Sequence, residues 1–323
     1  MIALLGKIDP MVRLITAAIL LATVLPVEGR AHEIAQMVSN AAVFVLFLLY
    51  GLRLSRREVL AGLGNHRLLL PLVAFVFGVM TVAGWGLWQA SATVLPPMLA
   101  LGFLYLGVLP STVQSATAYS SLAGGNVASS VVAAALINIL GVFISAPLFA
   151  LLAGNAGGEF HGDQLVKVVT MLLLPFVAGQ VLQGFVRGWI MEHKQLITRM
   201  DRSSIAIAVY VAFSGAVEQG IWTKVDAVGW AGVLLGSAVL MVLGYGGAWL
   251  LGGLLRLSHG DRIAMLFAGA QKSIAMGAPL ATVLFPSEMA GIVILPLIVY
   301  HLVQMIVAAP MATRLRGDRE PTH

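Results

Sequence analysis

Asp261 to Phe285 reads DRIAMLFAGAQKSIAMGAPLATVLF, a run apolar enough to enter a membrane that carries a lysine, Lys272, at its middle. Wound as a helix from Arg262 at about 1.5 Å per residue, it puts Lys272 about 15 Å deep, near the centre of a hydrocarbon core of about 30 Å. A charge at that depth costs on the order of 3 kcal/mol on insertion scales, so it requires a cavity, a partner or a task. Gly269, Gln271, Ser273, Gly277 and Pro279 around it loosen a helix and then offer polar atoms to the loosened backbone. The stretch therefore reads as a helix interrupted over Ala270 to Ser273. The bland alternative is an intact, glycine-tolerant transmembrane helix whose lysine pairs with a neighbour for packing alone.

The rest of the chain has the same solvent. Of its 323 residues 59% are hydrophobic and 10% charged, which describes a polytopic membrane protein with no soluble domain of useful size. The absence of cysteine excludes disulfides, thiol catalysis and cysteine-ligated metals. Lys7 and Arg13 precede an apolar run to Pro26 that carries no small-residue cleavage pattern, so it is expected to stay as the first span.

Charged and Gly/Pro-rich breaks divide the chain into ten expected spans, at about 11–27, 34–52, 68–88, 94–123, 126–152, 165–186, 203–219, 227–255, 262–285 and 289–312. Ten spans return both termini to one side. Of the 19 basic residues, fifteen fall on that side, three (Arg30, Lys167 and Lys224) on the other, and Lys272 within the membrane. The positive-inside rule then puts both termini in the cytoplasm. The acidic residues divide evenly between the sides, so the formal charge of +5 is an orientation signal and gives no reason to expect nucleic acid.

Five spans per half make residues 1–155 one five-helix repeat and 156–323 a second, inserted upside down. Spans five and ten support this weakly: each ends in Ala-Pro, at Ala146-Pro147 and Ala309-Pro310, with a polar residue nine positions earlier, Asn138 and His301. Span four is the first-half counterpart of the opening stretch. It meets Leu109-Pro110-Ser111-Thr112-Val113-Gln114-Ser115, where Pro110 removes a backbone donor and the next residues can cap a restarted helix. Two interrupted spans in corresponding positions of inverted halves point to a transporter's binding site. A proline-kinked helix with ordinary small residues is the plainer reading of span four.

The candidate substrate- and ion-binding residues are Thr112, Gln114, Ser115, Ser130, Asn138, Gln271, Lys272, Ser273, His301 and Gln304. His301 and Gln304 stand three apart, on neighbouring helix faces. A lone membrane histidine is more often an interhelical hydrogen-bonder than a ligand, so the case rests on the clustering. Restarted helices aim positive N-terminal ends inward and Lys272 adds a full charge, a combination suited to an organic anion. No acidic residue lies at mid-depth to relay protons or cations. No H-E-x-x-H, G-x-S-x-G or P-loop pattern is present, so enzyme chemistry lacks its residues. Gly232-Val-Leu-Leu-Gly236 matches G-x-x-x-G and is read as close helix packing.

At LPSTVQSATAYSSLAGGNVASSV, FAGAQKSIAMGAP and LPLIVYHLVQ the chain resembles the bile acid:sodium symporter superfamily, solute carrier family 10, and most of all its bacterial bile-acid-symporter-like branch. The resemblance covers nearly the whole length. It implies an all-α membrane protein of ten transmembrane helices in two inverted five-helix repeats, with spans four and nine interrupted and crossing. It also implies a panel domain of spans 1, 2, 6 and 7 and a core domain of spans 3–5 and 8–10, with sodium beside the crossing and an organic anion between panel and core.

The departures concern sodium. Four residues before Gln271, where the family places a glutamate, stands Phe267. The serine-asparagine pair of span four falls on Ser115-Ala116, and in span five Ser130 matches a ligand while the next falls on Ala134. What remains is a degenerate sodium site of Ser115, Ser130 and Gln271, with fewer oxygens than a hard cation wants. Lys272 stands where the family has a neutral polar residue. The expectation is a secondary-active, symporter-like transporter of a small organic anion in the bacterial inner membrane, without a cofactor. Its Lys272 ammonium would replace the cation, making transport sodium-independent or linked to protons through Lys272 or His301. The competing class is a regulatory membrane protein that keeps the fold without transporting.

Overall fold

A computed structural model of the chain describes residues 10–53, 65–154, 166–218, 220 and 225–317. All regular structure among them is helical. In chain order the helices are α1 (Pro10–Val24), α2 (Gly29–Arg53), α3 (His66–Ser91), α4 (Pro97–Val108), α5 (Val113–Leu122), α6 (Val127–Ala153), α7 (Leu174–Glu192), α8 (Lys194–Glu218), α9 (Ala227–Leu254), α10 (His259–Ala270), α11 (Ile274–Leu284), α12 (Ser287–Val293) and α13 (Leu295–Gly317).

Seven stretches of the described residues are long and apolar enough to cross a membrane, and the bent pair α4/α5 makes eight. The chain is thus a multi-pass, all-helical membrane protein with a broken span. Two of the ten expected spans fall outside that count. Helix α1 has 15 residues, and the first nine of α8 hold Lys194, Arg199, Asp201 and Arg202. The segments 54–64 and 155–165 between spans lie outside the described residues, as do Lys7, Arg319 and Lys224 among the basic residues used for orientation.

Local chemistry sets the helix ends. Asn126 caps α6 by accepting from Ser129 N–H at 3.1 Å, and Ser258 caps α10 by accepting from Asp261 N–H at 3.2 Å. The Asn126 amide also donates to the Asp261 carboxylate at 2.9 Å, tying the two helix starts together. Pro175 withholds the donor that would serve the Met171 carbonyl, and the turn over Val169–Leu173 widens to π geometry there.

The helices form two compact units. Unit 1 comprises Met1–Arg53, Phe160–Asp226 and Ala278–Val293; unit 2 comprises Leu54–Glu159, Ala227–Gly277 and Ile294–His323. In unit 1, α2 packs on α7 at Gly51 and Gly179, where a Cβ on either would collide with the other helix's backbone. Gln183 donates to the Leu52 carbonyl at 3.2 Å and Gln180 to the Gly51 carbonyl, satisfying the open end of α2. Arg53 pairs with the buried Asp201 of α8 at 2.9 Å.

In unit 2, α3 and α4 meet backbone to backbone at Gly84 and Gly107. A Cβ on Gly84 would lie 2.5 Å from the Phe103 carbonyl, and one on Gly107 2.8 Å from that of Met80. The G-x-x-x-G pair of α9 works differently: Gly232 admits the Leu95 side chain and Gly236 the Phe103 ring, so these glycines receive side chains and do not join backbones.

Candidate functional site: the crossing of two broken helices

Both breaks lie in unit 2 and touch. Helix α4 ends at Val108, Leu109 turns extended (φ −74°, ψ 146°), and α5 starts at Val113 after a bend of 61°. Helix α10 ends at Ala270, Gln271 takes the same φ −74°, ψ 146°, and α11 starts at Ile274. Both leading half-helices have 12 residues. The stretch interrupted is the expected one, and Pro110 is the residue that forces the first break.

The backbone groups freed by the breaks find partners across the crossing, as a membrane interior requires. Ser273 N–H donates to the Pro110 carbonyl at 2.9 Å. The Lys272 ammonium, 0% exposed, donates to the carbonyls of Gly107 and Leu109, both at 2.8 Å. These carbonyls close the C-terminal end of α4, the negative pole of its dipole, so the lysine acts as a cation capping a helix end. Its span is the most enclosed: 94% of the apolar window within His259–Leu284 is buried, against 33–56% for the other spans.

Gln304 of α13 holds the lysine's own backbone, accepting from Lys272 N–H at 2.9 Å and donating to its carbonyl at 3.1 Å. The same amide lies 2.8 Å from His301 Nδ1. Tyr300, one position before His301, donates to the Ala270 carbonyl at 2.6 Å and so caps the end of α10. On the other side of the break Thr112 donates to Gln271 Oε1 at 2.7 Å, and Ser115 donates to the same oxygen and meets the Thr112 hydroxyl. Phe267 is fully buried against the rings of Tyr119 and Tyr245.

At the crossing Thr112, Ser115 and Gln271 thus form one hydrogen-bonded group, Lys272, His301 and Gln304 another, and Ser273 is tied to Pro110. Asn138 reaches the crossing from α6, donating to the Ser111 carbonyl at 3.2 Å. Ser130 stands with Ser120 instead, at 2.9 Å, and Gln114 is exposed. Ser273 caps α11 by accepting from Met276 N–H at 3.2 Å, whereas α5 begins at Thr112 without a side-chain cap. The sequence reading missed Tyr105, which donates to the Gly277 carbonyl at 2.5 Å, and Ser145, which donates to that of Val108 at 2.8 Å. A hydroxyl inside the otherwise apolar Pro97–Val108 was the available signal, because a buried tyrosine needs a partner.

Broken helices that cross inside an all-helical membrane protein are an arrangement found in secondary transporters. The chain belongs to the SBF-like CPA transporter family, which it matches over residues 9–317. It is 36% identical over 317 residues to "Putative symporter YfeH" of Escherichia coli, covering 97% of this chain and 94% of that one. It is 37% identical over 305 residues to "Uncharacterized protein PA2026" of Pseudomonas aeruginosa, covering 94% and 92%. "Sodium/bile acid cotransporter 7" of Mus musculus is 22% identical over 289 residues, covering 87% and 83%. The resemblance drawn from the motifs is therefore shown, and the family is one of transporters rather than enzymes.

Proposed function

We propose that the chain is a secondary-active transporter carrying a small organic anion across a bacterial inner membrane, with its ten spans in two inverted five-helix repeats and both termini cytoplasmic. Alternating access comes from motion of a core of spans 3–5 and 8–10 against a panel of spans 1, 2, 6 and 7. The matching half-helix lengths and break conformations of α4 and α10 support the inverted repeat. Membership of the two compact units supports the panel and core, apart from Ala278–Val293, the end of span nine and the start of span ten, which clusters with the panel helices.

The observation that carries this reading is the Lys272 ammonium on the Gly107 and Leu109 carbonyls. Carbonyls at the end of a broken helix are where transporters of this kind seat a cation, and here a covalently attached charge occupies them. The transporter is then sodium-independent. The anion goes to the start of α5, whose first turn has no side-chain cap and whose Gln114 is exposed.

One observation favours sodium instead. Thr112 Oγ1, Ser115 Oγ and Gln271 Oε1 meet in a triangle with only two hydroxyl protons for three contacts, so a small cation would be welcome there. The donor set falls short of a hard cation's needs, with Phe267, Ala116 and Ala134 offering no side-chain oxygen. Proteoliposome uptake of a bile acid and a series of small carboxylates, with and without sodium, decides between them. Uptake without sodium that Lys272→Ala abolishes supports the proposal, provided the variant is still folded at the assay temperature. Strict sodium dependence, or undiminished uptake by Lys272→Ala, overturns the lysine's role. No uptake and no ligand-induced stabilisation of any compound returns the chain to the regulatory reading.

A further inference from the structure

In unit 1, at the end of α2 opposite the Arg53–Asp201 pair, three elements converge on one imidazole. His32, in the first turn of α2, has its side chain 15% exposed. Its Nδ1 lies 3.2 Å from the Val27 carbonyl. A carbonyl only accepts, so Nδ1 carries a proton and the Nε2 of the neutral ring is the acceptor. That nitrogen lies 2.7 Å from Ser287 Oγ, at the start of α12, and therefore accepts the serine's proton. The Glu218 carboxylate, at the end of α8, is 3.9 Å from Nδ1.

What this imidazole holds is a displaced piece of chain. Ala278–Val293 packs within unit 1, whereas the residues before and after it pack in unit 2, so the chain passes over after Gly277 and returns after Val293. Small residues seat the excursion on α8. A Cβ on Gly215 would lie 2.7 Å from the Ser287 backbone, and one on Gly291 would lie 2.5 Å from the Ala212 carbonyl. Those contacts are apolar or steric. His32 to Ser287 is the side-chain hydrogen bond that joins α12 to another element among the described residues of unit 1.

We propose that His32 is a proton-operated clasp that fixes the Ala278–Val293 excursion to unit 1 and tightens as pH falls. The neutral ring has one N–H, committed to Val27, and accepts from Ser287. The imidazolium has two: Nδ1–H keeps Val27 and faces the Glu218 carboxylate as counter-ion, and Nε2–H donates to the Ser287 oxygen as a charge-assisted bond. Serine's hydroxyl accepts as readily as it donates, so the contact survives the exchange and strengthens. The other charged residues next to these contacts in the chain are Glu288 on α12 and Glu28, Arg30 and Glu33 beside His32. Glu288 is exposed and its sign also favours the imidazolium.

The consequence is local and independent of any transported ligand. Hydrogen–deuterium exchange of the full chain in detergent, corrected for the intrinsic pH dependence of exchange, reads the protection of the Met289–Val293 amides between pH 8 and pH 5. In the wild type protection is expected to rise about fivefold on acidification, the size of one modest hydrogen-bond contribution. His32→Gln, which retains donor and acceptor without titrating, is expected to give a flat profile. Glu218→Gln is expected to keep the neutral-pH protection and lose most of the rise. A wild-type profile without a rise, or a rise that persists in His32→Gln, overturns the clasp. A variant that fails to fold is recognised by uniform loss of protection across both units, and Ser287→Ala then serves as the second probe, with the same flat profile expected.

Discussion

Lys272 stands in the most enclosed of the seven long spans among the described residues, and its two carbonyl partners make a charge there tolerable. Lys272→Met keeps the length and removes the ammonium, leaving the Gly107 and Leu109 carbonyls buried without their donor. The expected cost is on the order of 3 kcal/mol, at about 1–3 kcal/mol per stranded buried group. Detergent unfolding followed by tryptophan fluorescence checks it, and an unchanged transition would mean water replaces the ammonium at no cost. Gln304→Leu strands both backbone groups of Lys272 and is expected to cost about 2 kcal/mol by the same reasoning. That Lys272 would be enclosed was readable from the sequence because a charge inside a long apolar run needs partners. Its partners were not, because a backbone carbonyl belongs to every residue and only the path of the chain decides which two face a given ammonium. His301 and Gln304 were legible for the opposite reason, as polar side chains three apart in an apolar run. Tyr105 passed unnoticed as the single polar residue of an apolar helix, and Ser145 because it stands seven positions beyond Asn138 in an apolar stretch of α6.

Among whole elements, the breaks were legible and the glycine contacts were not. Pro110 and the Gln271-Lys272-Ser273 triplet announce a lost helix by composition, and both breaks fall where composition puts them. The close approach of α3 to α4 depends on Gly84 meeting Gly107, two residues from different helices that no spacing rule connects. The one visible motif, Gly232 and Gly236, turns out to house Leu95 and Phe103. Gly84→Ala is therefore expected to push α3 off α4, with a cost of about 1–3 kcal/mol as for overpacking in a core. Gly86→Ala, two positions along the same helix, meets nothing within 4 Å. It is expected to be neutral or to stabilise by about 0.5–1 kcal/mol through helix propensity. Thermal unfolding of the two variants side by side separates the steric argument from a general intolerance of substitution in α3; equal transitions would refute it.

At the scale of the molecule, orientation follows from the distribution of arginine and lysine, and the absence of cysteine makes that testable without background. In the in-in arrangement of ten spans, Arg30 lies outside and Arg256 lies in the cytoplasm. Arg30→Cys is expected to react with a membrane-impermeant maleimide on intact cells. Arg256→Cys is expected to react only after the membrane is opened. Arg314→Cys, in the last turn of α13, provides a second cytoplasmic site. The three labels test more than the two ends. Arg30 opens α2, Arg256 follows α9 and Arg314 lies in the last turn of α13, so an odd number of crossings between 30 and 256, and an even number between 256 and 314, is required for the expected pattern. Between 256 and 314 the chain has α10 with α11, then α13, and those two crossings return it to the starting side. If Arg256→Cys and Arg314→Cys react from opposite sides, the α10/α11 pair re-enters without crossing. Lys272 would then sit in a hairpin rather than at the middle of a span, and the inverted repeat would lose its second half.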